Sequence, residues 1–169
     1  VSAGAGGEPV DVVDEHDRVL RVVSRAEMRR QRLLHRAVSI AVFGNDGRLL
    51  VHRRAATKDI WPSYWDIAAG GVVGSGEGYH EAAERELAEE LGVVGVPLQH
   101  LGGGRYCDAS VDEIAHCYRC VSDGPFVFAD GEVDEVRWVD AADLAALMAS
   151  EPFTPDSLAL LLPLLTPFP

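Results

Sequence analysis

One stretch in the middle of this chain constrains its fold more than anything else in it. From Gly71 to Val93 the sequence reads GVVGSGEGYHEAAERELAEELGV. Gly71, Glu77, Arg85, Glu86, Leu87, Glu89, Glu90, Gly92 and Val93 therefore fall in the pattern G-x5-E-x7-R-E-U-x-E-E-x-G-U, with U apolar. Its second half has helical periodicity. Glu86 and Glu90 are four residues apart and Glu89 is three from Glu86, so all three carboxylates share one side of a helix. Ala83, Leu87 and Leu91 supply the adjacent apolar face. A helix over residues 78–91 is expected, with Gly92 as its C-cap. Like charges at this spacing repel when left alone, whereas a carboxylate cluster suits Mg²⁺ or Mn²⁺, hard cations that take oxygen ligands. Gly70 and Gly71 let the backbone approach closely and offer a carbonyl. Arg85 can pair with Glu81 across one turn or hold Glu77. An isolated E-x-x-E-E would read as a solvated acidic face. Gly71, Glu77, Arg85 and Gly92 in register favour a site.

The rest of the chain sets the context. At 169 residues it has the length of one domain with a proper core. A net charge of −12 disfavours nonspecific binding to nucleic acid or anionic membrane, since both are polyanions. No apolar run approaches the ~20 residues of a membrane span, and no signal peptide is visible, so the cytoplasm is the expected compartment. Cys107, Cys117 and Cys120 are too few for a disulfide framework. Cys117 and Cys120 lie three apart in an apparent strand, on opposite faces, and read as buried thiols.

Residues 1–9 read as a flexible tail and 10–169 as a single domain. Val10–Val13 and Val19–Val23 flank a polar turn as a short hairpin, and Ser24 caps a brief helix through Arg30. Arg36–Phe43 and Leu49–Arg53 are apolar runs joined by Gly44-Asn45-Asp46-Gly47, a hairpin signal. Strands are expected over Asp66–Ala69, near Leu98–Tyr106, over Glu113–Val121 and over Val136–Val139. Helices follow Asp140 or Asp143 through Met148, and Thr154–Asp156 opens a last one to Leu165. The fold class is mixed-sheet α/β.

The pattern from Gly71 to Val93 is the whole of the Nudix box, and on it the chain resembles the Nudix hydrolases. The resemblance implies an α/β/α sandwich and metal-dependent cleavage of a small nucleoside-diphosphate-linked substrate, with a homodimer as a family-level expectation. By the same carry-over Glu86, Glu89, Glu90 and the Gly70 carbonyl are metal ligands for Mg²⁺, or Mn²⁺, and Glu89 orients or deprotonates the attacking water. Glu90 belongs to the same catalytic set.

The similarity runs beyond the box. VDVVDEHDRVL, LLHRAVSIAVFGNDGRLLVHRRAATKDIWPSYW and EVDEVRWVDAADL look like the type 1 isopentenyl-diphosphate isomerases and the Nudix proteins nearest them, over roughly Val10 to Leu165. In those isomerases a catalytic cysteine follows the second Trp. Here Gly70 stands in its place, and Val72 stands where a metal-binding His would. His35 and Glu113 match an isomerase metal ligand and an isomerase acid. The expectation is thus a hydrolase on an isomerase-like frame, the alternatives being an isomerase or a non-catalytic nucleotide sensor. Outside the motifs, Arg53 is a candidate for substrate phosphate, Trp61 for stacking on substrate, Glu113 for a catalytic role, and Glu135 for a base that replaces Glu89.

Overall fold

A computed structural model describes residues 6–129 and 131–166. The chain begins with a hairpin of β1 (Pro9–Val13) and β2 (Val19–Ser24), followed by α1 (Arg25–Gln31). The Ser24 hydroxyl accepts from the Glu27 amide and caps α1. The tail expected over 1–9 lies outside the described residues for 1–5. The remainder is tied down, because Gly6 and Glu8 carbonyls accept from the Ala26 and Arg25 amides and Pro9 already belongs to β1.

β3 (His35–Phe43) is the axis of the molecule. It pairs antiparallel with β6 (Ala69–Val72), and parallel with β8 (Asp112–Val121), which carries β7 (Gln99–Cys107) on its far side. β4 (Leu49–Arg54) instead pairs with β5 (Trp65–Asp66) and β9 (Val133–Val139). The turn at Gly44–Gly47 forms as expected, but β3 and β4 meet only at Phe43 and Leu49. Buried on nearly its whole length, β3 takes its hydrogen bonds from β6 and β8, so the hairpin splays.

Alternation along β3 divides the core. Val38, Ile40 and Val42 pack with Ala82, Ala83, Leu87 and Leu91 of α2 (Tyr79–Leu91). Ala41 and Phe43 point the other way, to Trp65, Leu144, Leu147 and Leu161 under α3 (Ala141–Ser150) and α4 (Pro155–Leu160). Cys117 and Cys120 fall into these two opposite layers, both buried thiols, with burial pushing Cys117 up to about 12 and Cys120 up to about 11. The last helix is shorter than the pattern suggested. α4 stops at Leu160 and a 3-10 turn, Leu162–Leu165, follows, because Pro163 has no amide to donate and its ring disfavours helix. The result is a mixed sheet with helices on both faces. Among the described residues no helix is long and apolar enough to cross a membrane.

Candidate active site

The Gly71–Val93 pattern runs from β6 through the turn that follows it and along α2 to its C-cap. The turn is closed by side chains from the pattern itself. The Glu81 carboxylate accepts from the Gly78 amide, 3.1 Å away, and so is engaged at the start of α2. Arg85 is left for Glu77, which it grips with two parallel bonds of 2.8 and 2.9 Å. Glu77 also accepts from the Gly74 amide at 2.8 Å, and Arg85 donates to the Val72 carbonyl at 3.1 Å. One guanidinium thus ties loop and helix together, and those bonds with Glu77 hold its pKa above the ordinary arginine value. Gly92 closes the helix in the left-handed region at φ 68°.

Glu86 and Glu90 are buried, whereas Glu89 stands at the solvent edge. The Glu90 carboxylate accepts from the Gly70 amide at 3.1 Å. Burial, with Glu86 adding to it, pushes the Glu90 carboxyl up to about 8. Burial also raises Glu86, although Arg85 donates to it at 2.7 Å and works against the rise. The same guanidinium nitrogen reaches Glu89 at 3.2 Å. Gly71 lets Glu86 keep this position, since a Cβ there would lie 2.6 Å from a Glu86 carboxylate oxygen and displace it.

The arrangement fits a divalent cation by its donor chemistry. Two buried carboxylates lie on adjacent turns, and burial keeps both above the usual carboxylate range, which is the condition a hard cation relieves. Among the described residues no three His, Cys, Asp or Glu side chains close on one point unaided. Backbone carbonyl and substrate oxygens would have to complete the shell, as usual for Mg²⁺.

The box opens on a cleft of about 620 Å³, lined by Glu77, Arg85, Glu86, Glu89, Gly70 and Gly71 together with Arg25, Lys58 and Glu132. Through Gly70, Gly71, Arg25 and Lys58 it continues into a narrower lobe of about 70 Å³, whose walls include Arg29, Arg54, Trp61, Asp66, Glu113 and Asp156. Trp61 sits at this lobe, edge-on to Tyr106, on a backbone held at φ 47°, a conformation costing a non-glycine residue about 1–2 kcal/mol.

The expected site residues separate accordingly. Glu86, Glu89 and Gly70 line the box cleft, Glu90 lies directly beneath it, and Trp61 and Glu113 line the lobe. Arg53 lines neither: it is exposed, and its Nε donates to the Ser63 carbonyl at 3.4 Å. Arg54, the next residue and so on the opposite face of β4, lines the lobe instead. Glu135 also lines neither; it pairs opposite Arg53 and accepts from Arg137 at 2.7 Å. The acidic residue of that segment at the cleft is Glu132, in an ion pair with Lys58. His35 is buried; its Nδ1 donates to the Leu33 carbonyl and burial lowers it to about 4. Its Nε2 lies 3.9 Å from Glu113, and no metal-ligand geometry results.

Arg25, Arg29, Lys58 and Asp156 were not singled out from sequence. Arg25 and Arg29, one turn apart on a capped helix, carry a recognisable spacing, but nothing in it says which cleft α1 faces.

The buried Glu113 and the half-buried Asp156 lie within hydrogen-bonding reach, and desolvation together with their mutual repulsion holds the pair above the ordinary range. A folded-state value above the unfolded one stabilises the protein fully below about pH 4, and that stability disappears as pH rises through the folded value. In chelator, the unfolding free energy is therefore expected to fall between pH 6.5 and 8, by about 1.4 kcal/mol per pH unit for each proton retained, and the melting temperature to fall with it. His35 and His52, both lowered to about 4 by burial, act oppositely and only below about 6.5. Asp156→Asn makes the slope shallower, leaving the parts due to Glu90 and to the burial of Glu113; an unchanged slope would remove the pair from this account.

The Arg85 fork gives a second expectation. Arg85→Lys keeps the charge and loses the bidentate grip on Glu77. Turnover is expected to fall 10- to 100-fold, the range for residues that orient a metal site's ligands. Steady-state kinetics with saturating Mg²⁺ checks it, and wild-type rates would contradict the positioning role.

The sequence matches the NUDIX domain family over residues 33–161. An uncharacterized Nudix hydrolase of Yersinia pestis is 44% identical over 151 residues, covering 89% of this chain and 82% of that protein. The uncharacterized Nudix hydrolase YfcD of Escherichia coli is 42% identical over 154 residues, covering 91% and 84%. Among solved structures, DR0079 from Deinococcus radiodurans superposes with a TM-score of 0.75 at 28% identity, over 90% of this chain and 95% of that one. The resemblance to isopentenyl-diphosphate isomerases gains no support from these relatives. The position corresponding to the isomerase cysteine also has no room for one: a Cβ on Gly70 would lie 2.0 Å from the Val38 carbonyl oxygen. With the box assembled on its helix and relatives named as Nudix hydrolases on both sides of the sequence comparison, the chain belongs to the Nudix hydrolase family, whose members act on pyrophosphate bonds.

Proposed function

We propose that this protein is a Mg²⁺-dependent hydrolase of a small diphosphate, a nucleoside diphosphate linked to a further group or a related compound, bound in the cleft over Gly70, Gly71, Glu86 and Glu89. The observation that carries the reading is the pair of buried carboxylates, Glu86 and Glu90, beneath a glycine turn at the floor of an open cleft. Mn²⁺ fits the same oxygen donors. Glu86, Glu89, Glu90 and the Gly70 carbonyl would hold the cation, which when bound polarises the phosphorus and lowers the pKa of coordinated water.

The remaining work falls to the chain's own side chains. Glu89, at the solvent edge of the carboxylate row, is the group placed to orient a water and take its proton. Arg85 fixes Glu86 and reaches Glu89, so the row is organised before substrate arrives. Lys58, held against Glu132, brings positive charge to the cleft wall. A single domain over 10–169 is enough to build every one of these parts.

A turnover screen with Mg²⁺ over nucleotide sugars, dinucleotides, nucleoside di- and triphosphates and prenyl diphosphates tests the reading. At least one class should release phosphate or a nucleoside monophosphate, and chelator should abolish it. Tight nucleotide binding with no turnover under any divalent metal would instead favour a sensor.

A further inference from the structure

The narrow lobe beyond the box leaves buried hydrogen-bond donors unsatisfied. Arg29 and Arg54 both line it, each with a buried Nε that makes no hydrogen bond: the Arg54 Nε has no partner, and the Arg29 Nε has only the long ion pair to Asp59. Their ion pairs are long. Arg29 lies 3.5 Å from Asp59, and Arg54 lies 3.8 Å from Asp66, with one further bond to the Ile60 carbonyl at 3.0 Å. Of the five donors a guanidinium offers, each arginine thus keeps one buried and without a hydrogen bond. Burying such donors unpaired costs about 1–3 kcal/mol each, and native structures rarely leave them so without a reason.

Four carboxyls share the lobe with them: Asp59 and Asp66 stand at ion-pair distance from the arginines, and Glu113 and Asp156 lie within hydrogen-bonding reach of each other. Burial and mutual repulsion push Glu113 and Asp156 upward, so the two together carry less negative charge than two free carboxylates. Arg25 and Lys58 stand at the mouth, where lobe and box cleft join, and add positive charge along the path. The volume, about 70 Å³, exceeds the ~10–15 Å³ of such space that one water needs. A phosphoryl or carboxylate group fits it.

We infer that the lobe walled by Arg29 and Arg54 is a second anion subsite, so that the preferred substrates carry a phosphoryl or carboxylate group beyond the scissile diphosphate. The subsite itself stands on the buried guanidinium groups. Its assignment to the substrate rests on the box cleft being the diphosphate site. A substrate spanning both would place its diphosphate over Glu86 and Glu89 and its distal anion between the two arginines, with Trp61 beside the connecting atoms. Arg–phosphate and Arg–carboxylate pairs share the planar, two-pronged geometry that makes arginine the residue for this task.

Inorganic phosphate in chelator is the direct probe, because the box carboxylates repel an anion when no metal is present. Phosphate should raise the melting temperature of the full chain saturably, and should slow phenylglyoxal modification of Arg29 and Arg54 mapped by mass spectrometry. Acetate in parallel distinguishes a phosphoryl from a carboxylate preference. Affinity for phosphate should drop at least tenfold in Arg29→Gln and in Arg54→Gln and persist in Glu90→Gln. If the arginine variants fail to fold, the protection pattern in wild-type protein decides alone. No saturable shift, or protection that misses both arginines, overturns the subsite even if the box hydrolyses diphosphates. Phosphate binding in chelator without any diphosphate turnover would keep the subsite and reject the proposed reaction instead. Once a substrate is found, Arg29→Gln should raise KM at least tenfold for the analogue bearing the distal anion, and little for the analogue lacking it. Equal effects on both would reject the assignment to substrate.

Discussion

Replacing Glu90 with Gln is expected to lower Mg²⁺-dependent turnover at least a hundredfold while leaving the fold as stable as before, or more so. The two halves of this expectation have one cause. Glu90 is buried under Gly70, and its carboxyl is held at about 8 by the absence of water and by Glu86 nearby. A carboxylate in that position costs stability unless a cation offsets it. The Gln amide oxygen can still accept from the Gly70 amide, which now bonds at 3.1 Å, so the loop remains anchored. What the amide lacks is the negative charge, and losing one such electrostatic contact typically costs about 3–4 kcal/mol of transition-state stabilisation. Steady-state rates and thermal melts of the same preparation, with and without Mg²⁺, check both halves. Mg²⁺ should raise the melting temperature of the wild type and raise that of Glu90→Gln much less. A variant with wild-type turnover, or one that loses activity only because it unfolds, would remove Glu90 from the site.

Gly70 carries the largest expected effect on the fold. Gly70→Ala should destabilise the protein by about 3 kcal/mol or more, because its Cβ would meet the Val38 carbonyl oxygen at 2.0 Å. The obstacle is backbone, in the β3–β6 ladder where Ser39 pairs with Gly70, so no rotamer change relieves it. Gly71→Ala is the useful contrast. There the clash is with the Glu86 side chain, which can swing away, so activity should fall more steeply than stability. Denaturant unfolding of the two variants gives the comparison, and a Gly70→Ala protein as stable as wild type would contradict the packing described. Gly70→Cys, which would install a thiol where isomerases carry one, is expected to destabilise the fold for the same reason and to yield no isomerase.

The box and its helix were legible because their cause is local. Glu86, Glu89 and Glu90 share a helical face by spacing alone, and Gly92 ends the helix by its own conformational freedom. Most strands followed from alternation, as in β3, where Val38, Ile40 and Val42 face one layer and Ala41 and Phe43 the other. The sequence pattern left Arg85 between Glu81 and Glu77, and only the bond from the Gly78 amide to Glu81 resolves it. What stayed hidden depends on long-range packing. Alternation puts Arg53 and Arg54 on opposite faces of β4, but only the packed fold shows which face meets the lobe. The contributions of Arg29 from α1 and Asp156 from α4 to one lobe depend on how distant elements pack, which spacing does not encode.

The most direct test of the central claim is hydrolysis of an active diphosphate in ¹⁸O-labelled water with Mg²⁺. The account predicts one solvent-derived oxygen in a phosphate-containing product, formation that stops in chelator, and at least a hundredfold loss in Glu90→Gln. Product formed without solvent oxygen, or at the same rate in chelator, would contradict metal-dependent hydrolysis at the box.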